Sequence, residues 1–393
     1  MQYRRFGRTE LQMPVFSCGG MRYQHSWQDV PPAEIPAASQ QNLEATIQQA
    51  LALGINHIET ARGYGTSEVQ LGKILPQWPR QDLIVQTKVA PKPDPLEFRR
   101  QFEQSLANLR LDYVDLLGIH GINNEETLHH TLRPGGCLEE ARRWQAQGKV
   151  RFIGFSTHGP TALIQRAIAS NQFDYVNLHW YYIFQDNWPA ILSAREYDLG
   201  LFIISPSDKG GKLYDPSQRL MKLCRPLSPM VFNDLFCLAR PEVHTLSLGA
   251  SRPSDFKEHL KTLRFLSQAE TLLPPIVARL EEAAIARLGK DWYLTWREGL
   301  PSYQETPGQV NIPVILWLLN LAKAYDLLDY AQMRYNLLGH GGHWFPGQKA
   351  DRVADLDLRP CLQASPHAAI IPDLLQEADR LLGGTEVKRL SKS

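Results

Sequence analysis

A closed (β/α)8 barrel followed by a smaller all-helical domain is the fold class that this 393-residue sequence predicts, on three observations. From about residue 40 to 260, polar helix-like segments alternate with short apolar strand-like runs. The runs are apolar at their centres instead of alternating with polar residues, as strands buried on both faces of a parallel sheet are. Beyond about residue 265 the texture changes to a long helical stretch and then to segments punctuated by Pro, Gly and Trp. The expected division is therefore a barrel over residues 1–265 and a helical domain over 266–393, with a disordered basic tail near 384–393.

The strand candidates, in order, are Met13–Cys18, His57–Thr60, Leu83–Lys88, Val114–His120, Phe152–Ser156, Tyr175–Leu178, Leu201–Ser205 and Thr245–Leu248. Helix patterns over Gln40–Leu53, Pro95–Leu109, Leu138–Gln147 and Thr161–Ser170 lie between them. That count of βα steps favours a closed TIM-type barrel over an open doubly wound sheet. No Gly-x-Gly-x-x-Gly follows an early strand, so a bound nucleotide is not held in the Rossmann manner.

Apolar residues make up 43% of the chain, enough to bury a core, and 42 Lys+Arg balance 41 Asp+Glu at a net charge of +1. That balance supplies no field to gather nucleic acid or an anionic membrane surface, which leaves small molecules or other proteins as partners. The N-terminal MQYRRFGRTELQ carries charges where a signal peptide needs an apolar stretch, and the longest apolar run, Val314 to Ala322, is interrupted by Asn320. Cys18, Cys137, Cys224, Cys237 and Cys361 form no Cys-x-x-Cys pair, which argues against a disulfide framework and a thiolate metal site. A cytoplasmic location is expected.

Barrel active sites sit where strands end on the C-terminal face. Here the second strand ends in Glu59 with Tyr64 five residues on, the third in Lys88 and the fourth in His120. This set suits proton transfer: an ammonium beside a phenol favours the phenolate, and a carboxylate nearby keeps that ammonium charged and fixed.

The segments GINHIETARGYGTSEVQLG, LIVQTKV, SLANLRLDYVDLLGIHG and GKVRFIGFSTHG resemble, in order and spacing, the aldo/keto reductase family over roughly residues 1 to 260. The resemblance implies Tyr64 as the general acid for a carbonyl oxygen, Lys88 as the group that lowers its pKa, and His120 as the group that orients the carbonyl. It also implies hydride from NADPH bound across the barrel mouth. The family usually has Asp where this chain has Glu59, and one methylene displaces a carboxylate by about 1 Å, enough to cost ~100-fold in rate. By the same resemblance Ser156, His158 and Asn177 meet the nicotinamide carboxamide. Ser205, Lys209, Gly210 and Gly211 meet the pyrophosphate, Ser251 and Arg252 the 2′-phosphate, and Glu258 the adenine; Ile204 replaces an aromatic that often stacks on the nicotinamide.

The tail contains an internal echo, TPGQVNIP at 306–313 and SPHAAIIP at 365–372, each followed by an amphipathic helix. It resembles a ferredoxin-like helical domain in which such segments follow a Cys-x-x-Cys-x-x-Cys-x-x-x-Cys-Pro run. Projected backward, that spacing puts Trp296, Gly299, Ser302 and Thr306 at one set of ligand positions and Asp355, Leu358, Cys361 and Ser365 at the other. One thiolate cannot hold an iron–sulfur cluster, so none is expected. The two histidines of GHGGHWFPG (339–347) lack nearby Cys or carboxylate ligands, and no metal site is expected there.

Two function classes follow: an NADPH-dependent reductase of a small aldehyde or ketone, or a non-catalytic NADPH-binding or interaction protein built on a reductase barrel. Joint retention of Tyr64, Lys88 and His120 favours the enzyme. The aromatics of the helical domain read first as ordinary core, with a lid over the barrel mouth or a protein contact as the alternatives, and loops near Met21–Trp27, Asn123–Thr127 and Trp180–Trp188 are expected to line the substrate pocket without a diagnostic charge.

Overall fold

The computed structural model describes residues 1–339 and 345–384. Contacts divide the chain into two compact units. One comprises Met1–Gly210 and Met230–Ala269, and the other Gly211–Pro229 and the described residues from Glu270 on.

The first unit is an eight-stranded closed barrel with all neighbours parallel. It opens with a two-stranded antiparallel hairpin, β1 (Tyr3–Arg5) and β2 (Gln12–Pro14). The barrel strands are β3 (Phe16–Gly19), β4 (His57–Glu59), β5 (Ile84–Val89), β6 (Val114–His120), β7 (Val150–Ser156), β8 (Tyr175–Leu178), β9 (Gly200–Ile203) and β10 (Thr245–Leu248). β10 closes on β3.

The expected strand Met13–Cys18 is thus two strands in different sheets. Pro14 has no N–H to continue a ladder, and Val15 makes the hand-over: its N–H donates to Gln2 O and its carbonyl accepts from Leu246 N, both at 3.0 Å. Phe6, Leu11 and Met13 of the hairpin pack with Ile84, Leu116, Tyr175 and Phe202 inside the barrel. They form its floor, and Gly200 lacks a side chain because a Cβ there would meet the Phe6 ring.

The helices of this unit are α1 (Ala37–Ala52), α2 (Ser67–Ile74), α3 (Pro95–Leu109), α4 (Glu125–Leu132), α5 (Cys137–Ala146), α6 (Thr161–Ala169) and α7 (Trp188–Glu196). α3 shows how the sequence sets them. Asp94 accepts from Leu96 N at 2.9 Å as N-cap, Pro95 takes the first helical position, Arg110 ends the helix in the left-handed region, and Phe98, Phe102, Leu106 and Leu109 give the buried stripe.

Helix α8 (Gln218–Leu223) belongs to the second unit, while α9 (Pro229–Leu238) and α10 (Phe256–Leu260) flank β10 in the first. The second unit continues with α11 (Ala269–Leu288), α12 (Lys290–Thr295), α13 (Ile312–Tyr325), α14 (Leu328–Tyr335), α15 (Arg359–Leu362) and α16 (Ile371–Leu382). Its centre is α13, buried along most of its length between α14 and α16. Asn311 caps it, accepting from Val314 N at 3.2 Å. Tyr335 donates to Asp379 Oδ1 at 2.6 Å and accepts from Ala350 N at 2.9 Å.

Among the described residues no helix is long and apolar enough to cross a membrane. The five cysteines are free. The basic tail from 385 and the His340/His343 pair lie outside the described residues.

Candidate active site

Parallel register sets the mouth in two rows. Lys88 of β5 pairs with Gly118 of β6, Gly118 with Gly154 of β7, and Gly154 with Tyr175 of β8. Nearer the mouth, His120, Ser156 and Asn177 are paired across β6, β7 and β8. The glycines of the lower row are required by space: a Cβ on Gly118 would come within 2.8 Å of Lys88 Cγ, and one on Gly154 within 2.5 Å of the Tyr175 ring. The Lys88 stem therefore lies across β6.

Glu59 and Lys88 form a buried ion pair, with side chains 4% and 2% exposed. Lys88 also donates to Thr60 O at 2.8 Å, and Ser247 Oγ lies 3.5 Å from Glu59 Oε2. Gly19 leaves room for the carboxylate, since a Cβ there would stand 3.2 Å from Glu59 Oε2. The longer side chain of Glu is thus accommodated, and it reaches the lysine.

Tyr64 and His120 are half-buried above this pair. Lys88 Nζ lies 4.8 Å from the Tyr64 ring centroid, and the Tyr64 and His120 rings meet edge to face at 5.7 Å. Trp27 packs on Tyr64 from the other side, with centroids 5.9 Å apart. Its loop is stitched down by Thr66 N to Ser26 O at 3.0 Å, His25 N to Gln70 Oε1 at 2.8 Å, and an Arg62–Asp29 ion pair. Gly65, at φ 52°, permits the close approach of the Ser26–Trp27 backbone.

Burial decides the electrostatics. It pushes the Tyr64 phenol well up, pulls Lys88 well down and lowers His120 to about 3, with the Lys88 charge adding to the effect on His120. His120 is therefore neutral at ordinary pH and Tyr64 keeps its proton. The expectation that Lys88 would lower the Tyr64 pKa is offset here by desolvation of the phenol, while contact with the Glu59 carboxylate favours the charged lysine.

Beneath this layer lies a polar ring that the sequence reading missed. His57 Nδ1 is 2.6 Å from Ser17 Oγ, Ser17 Oγ is 2.7 Å from Thr245 Oγ1, and His57 Nε2 is 3.1 Å from Gln86 Oε1. Burial lowers His57 to about 3, so it is a neutral spacer under Glu59. Its two-residue offset from Glu59 in a strand was the available signal.

The cofactor candidates divide into clusters. Asn177 is buried, and among the described residues neither atom of its amide has a hydrogen-bond partner. Ser156, beside it, accepts from Gly121 N at 3.2 Å and retains its hydroxyl proton. Such an orphaned amide and a hydroxyl fit a primary carboxamide, whose donors and acceptor would satisfy them. His158 instead joins His179, with Nδ1 to Nε2 at 2.5 Å, and Lys209 Nζ sits 3.1 Å from His179 Nε2. The two imidazoles have near-parallel planes and centroids 4.7 Å apart. With the nitrogens in contact, they meet edge to edge and are not face-stacked.

Ser205, at φ 56°, and Gly210 lie in the tight turn after β9, closed by Lys209 N to Ser205 O at 2.9 Å; Gly211 opens the second unit. Ser251 and Arg252 are both held by Asp255, through Ser251 Oγ at 2.8 Å and Arg252 Nε at 3.1 Å. Glu258 pairs with Lys261 at 2.5 Å.

An eight-stranded parallel barrel with a Glu–Lys–Tyr–His mouth has recognisable relatives. Residues 16–191 match the aldo/keto reductase family model. L-Galactose dehydrogenase of Arabidopsis thaliana is 36% identical over 124 residues, spanning 28% of this chain and 37% of that protein. L-Glyceraldehyde 3-phosphate reductase of Escherichia coli is 28% identical over 176 residues, 41% of this chain and 46% of the relative. The match thus spans less than half the length of either relative. A solved aldo-keto reductase of Bacillus halodurans superposes with a TM-score of 0.56 at 19% identity, covering 69% of this chain and 96% of that one. Together these comparisons show a barrel similar in sequence to aldo/keto reductases over residues 16–191 and similar in fold to a solved member.

Proposed function

We propose that the protein is an NADPH-dependent reductase of a small aldehyde or ketone, with Tyr64 as the general acid. The observation that carries this reading is the buried Glu59–Lys88 pair directly beneath the half-exposed Tyr64 and His120. A buried charge pair is costly to keep, and here it lies against a phenol that also faces an imidazole.

The neutral His120 imidazole orients the carbonyl oxygen. The Tyr64 hydroxyl delivers its proton to that oxygen, and the Lys88 ammonium stabilises the phenolate left behind. Glu59 fixes the lysine, and Trp27 excludes water from one side of Tyr64. A bound dihydronicotinamide would supply the hydride. Asn177 and Ser156 would hold its carboxamide; Ser205, Lys209 and Gly210 would hold the diphosphate, and Ser251 and Arg252 the 2′-phosphate, with Glu258 toward the adenine. Gly211, in the second unit, is left out of this assignment.

For the second unit we propose a ferredoxin-like helical scaffold without cluster chemistry. In such domains the fourth ligand of each run serves the other cluster, so the two runs must cross. Here Gly299 packs against the backbone of Ala364 and Ser365, and a Cβ on Gly308 would come within 3.1 Å of Leu356. Thr295 Oγ1 likewise meets His367 Nε2 at 2.8 Å. These contacts support a crossing of the two runs, and seven of the eight proposed ligand positions are not cysteine.

A steady-state screen of NADPH oxidation over short aldehydes, ketones and quinones tests the enzyme reading. Turnover that disappears in Tyr64→Phe supports it. Binding of NADPH with no oxidation in either the wild type or Glu59→Asp would replace it with the binding-protein alternative.

A further inference from the structure

One register row of the barrel runs Lys88, Gly118, Gly154, Tyr175, Gly200 from β5 to β9. Three of its five members are glycine, so the side chains that fill this layer must reach across their neighbours' strands. The Phe6 ring covers Gly200, where a Cβ would stand 2.6 Å from it, and its centroid lies 5.9 Å from that of the Tyr175 ring. The Tyr175 ring in turn covers Gly154, and its hydroxyl ends over Gly118. A Cβ on Gly118 would stand 3.3 Å from Tyr175 Oη and 2.8 Å from Lys88 Cγ, so the phenol and the lysine stem meet at that point. Phe6, Tyr175 and Lys88 thus form a buried succession from the barrel floor to the ammonium beneath Tyr64.

The hydroxyl is the unexpected part of this strut. It is fully buried, burial holds its proton on, and among the described residues it has no hydrogen-bond partner. An unpaired buried hydroxyl lowers stability, and a phenylalanine ring would cover Gly154 equally well without that cost. What phenylalanine lacks is reach, because it ends one atom short of the Lys88 stem. Glu59 and Thr60 O hold the ammonium at its tip, but Gly118 and Gly154 put no side chain beneath the stem on the β6–β7 side.

Resting on the reductase reading above, we propose that Tyr175 is a positioning residue for proton transfer: seated on Phe6, its hydroxyl works by contact, keeping the Lys88 stem from settling onto Gly118 and Gly154 and so holding the ammonium beside Tyr64. Rate and stability then respond in opposite directions to loss of the hydroxyl. The rate falls because Lys88 moves, whereas stability holds or rises because an unpaired polar group is gone. A residue that served packing alone would leave the rate untouched.

The test compares the full-length wild type with Tyr175→Phe and with a chain carrying 4-fluorophenylalanine at position 175, whose fluorine matches the hydroxyl in reach and cannot donate a hydrogen bond. In Tyr175→Phe the kcat for NADPH-dependent reduction should fall about 10- to 100-fold, as a displacement of about 1 Å at a reacting group does. The NADPH dissociation constant should be unchanged and the denaturation midpoint equal or higher. The fluorinated chain should recover the wild-type kcat, since the swap conserves volume. Wild-type kcat in Tyr175→Phe would overturn the strut, and so would a fluorinated chain as slow as Tyr175→Phe, which would make the hydroxyl proton the working part. A wild type that binds NADPH but reduces no carbonyl would overturn the reductase reading instead. Crystal structures of the wild type and Tyr175→Phe then decide the strut by themselves: a Lys88 stem shifted toward Gly118 supports it, and an unmoved Lys88–Glu59 contact overturns it.

Discussion

The barrel mouth and the helical unit put burial to opposite uses. At the mouth a charged pair, Glu59 and Lys88, is kept in full burial, with Gly118 of the neighbouring strand leaving space for the Lys88 stem. In the helical unit the buried centre is the apolar helix α13, and the positions proposed above as former ligand sites hold one cysteine, Cys361. A buried charge pair is costly to keep, whereas an apolar helix is sustained by packing alone.

The largest expected effect breaks the first half of that contrast. Tyr64→Phe removes the proton donor and should lower kcat by about 100- to 10,000-fold, with the NADPH dissociation constant unchanged by fluorescence titration. Glu59→Gln should come next, because it leaves Lys88 buried without its counter-charge. Loss of one partner of such a pair costs about 3–5 kcal/mol, measurable as a fall in denaturation midpoint. Glu59→Asp sharpens the point: a faster enzyme marks Glu59 as drift, and a much slower one marks a site rebuilt around the longer side chain.

A smaller effect probes the second half. Gly299→Ala adds a Cβ at φ 66° against Ala364, and a left-handed non-glycine residue alone costs about 1–2 kcal/mol. Thermal stability should fall while the NADPH dissociation constant holds, as expected of a position that serves packing only. Smallest is Arg252→Ala. The guanidinium is 71% exposed and already engaged by Asp255, so the preference for NADPH over NADH should drop only about two- to fivefold. Asp255→Ala should raise that preference.

Much of the barrel was legible because parallel strands are apolar throughout and end abruptly. Val114–His120, Tyr175–Leu178 and Thr245–Leu248 agree with the observed strands residue for residue. The same endings put Glu59, Lys88 and His120 at the mouth. Contacts that depend on register were not legible. Nothing local in the sequence says that Gly118 lies under the Lys88 stem, that Tyr175 fills the space over Gly154, or that Ser17, 40 residues before His57, would bond to it. Arg252 read as an anion contact because its acidic neighbour three residues on looks like any helix-start carboxylate until the guanidinium is seen on it.

The floor built from Phe6, Leu11 and Met13 makes the barrel a vessel with a single opening. Whatever reaches Tyr64 enters past the rim and must leave by it. A ligand lying along the rim on the Ser156–Asn177 side and a second one over Tyr64 would therefore share one doorway, with the deeper occupant obliged to arrive first and depart last. Product inhibition patterns, not structure alone, would then carry the imprint of three apolar side chains at the far end of the molecule.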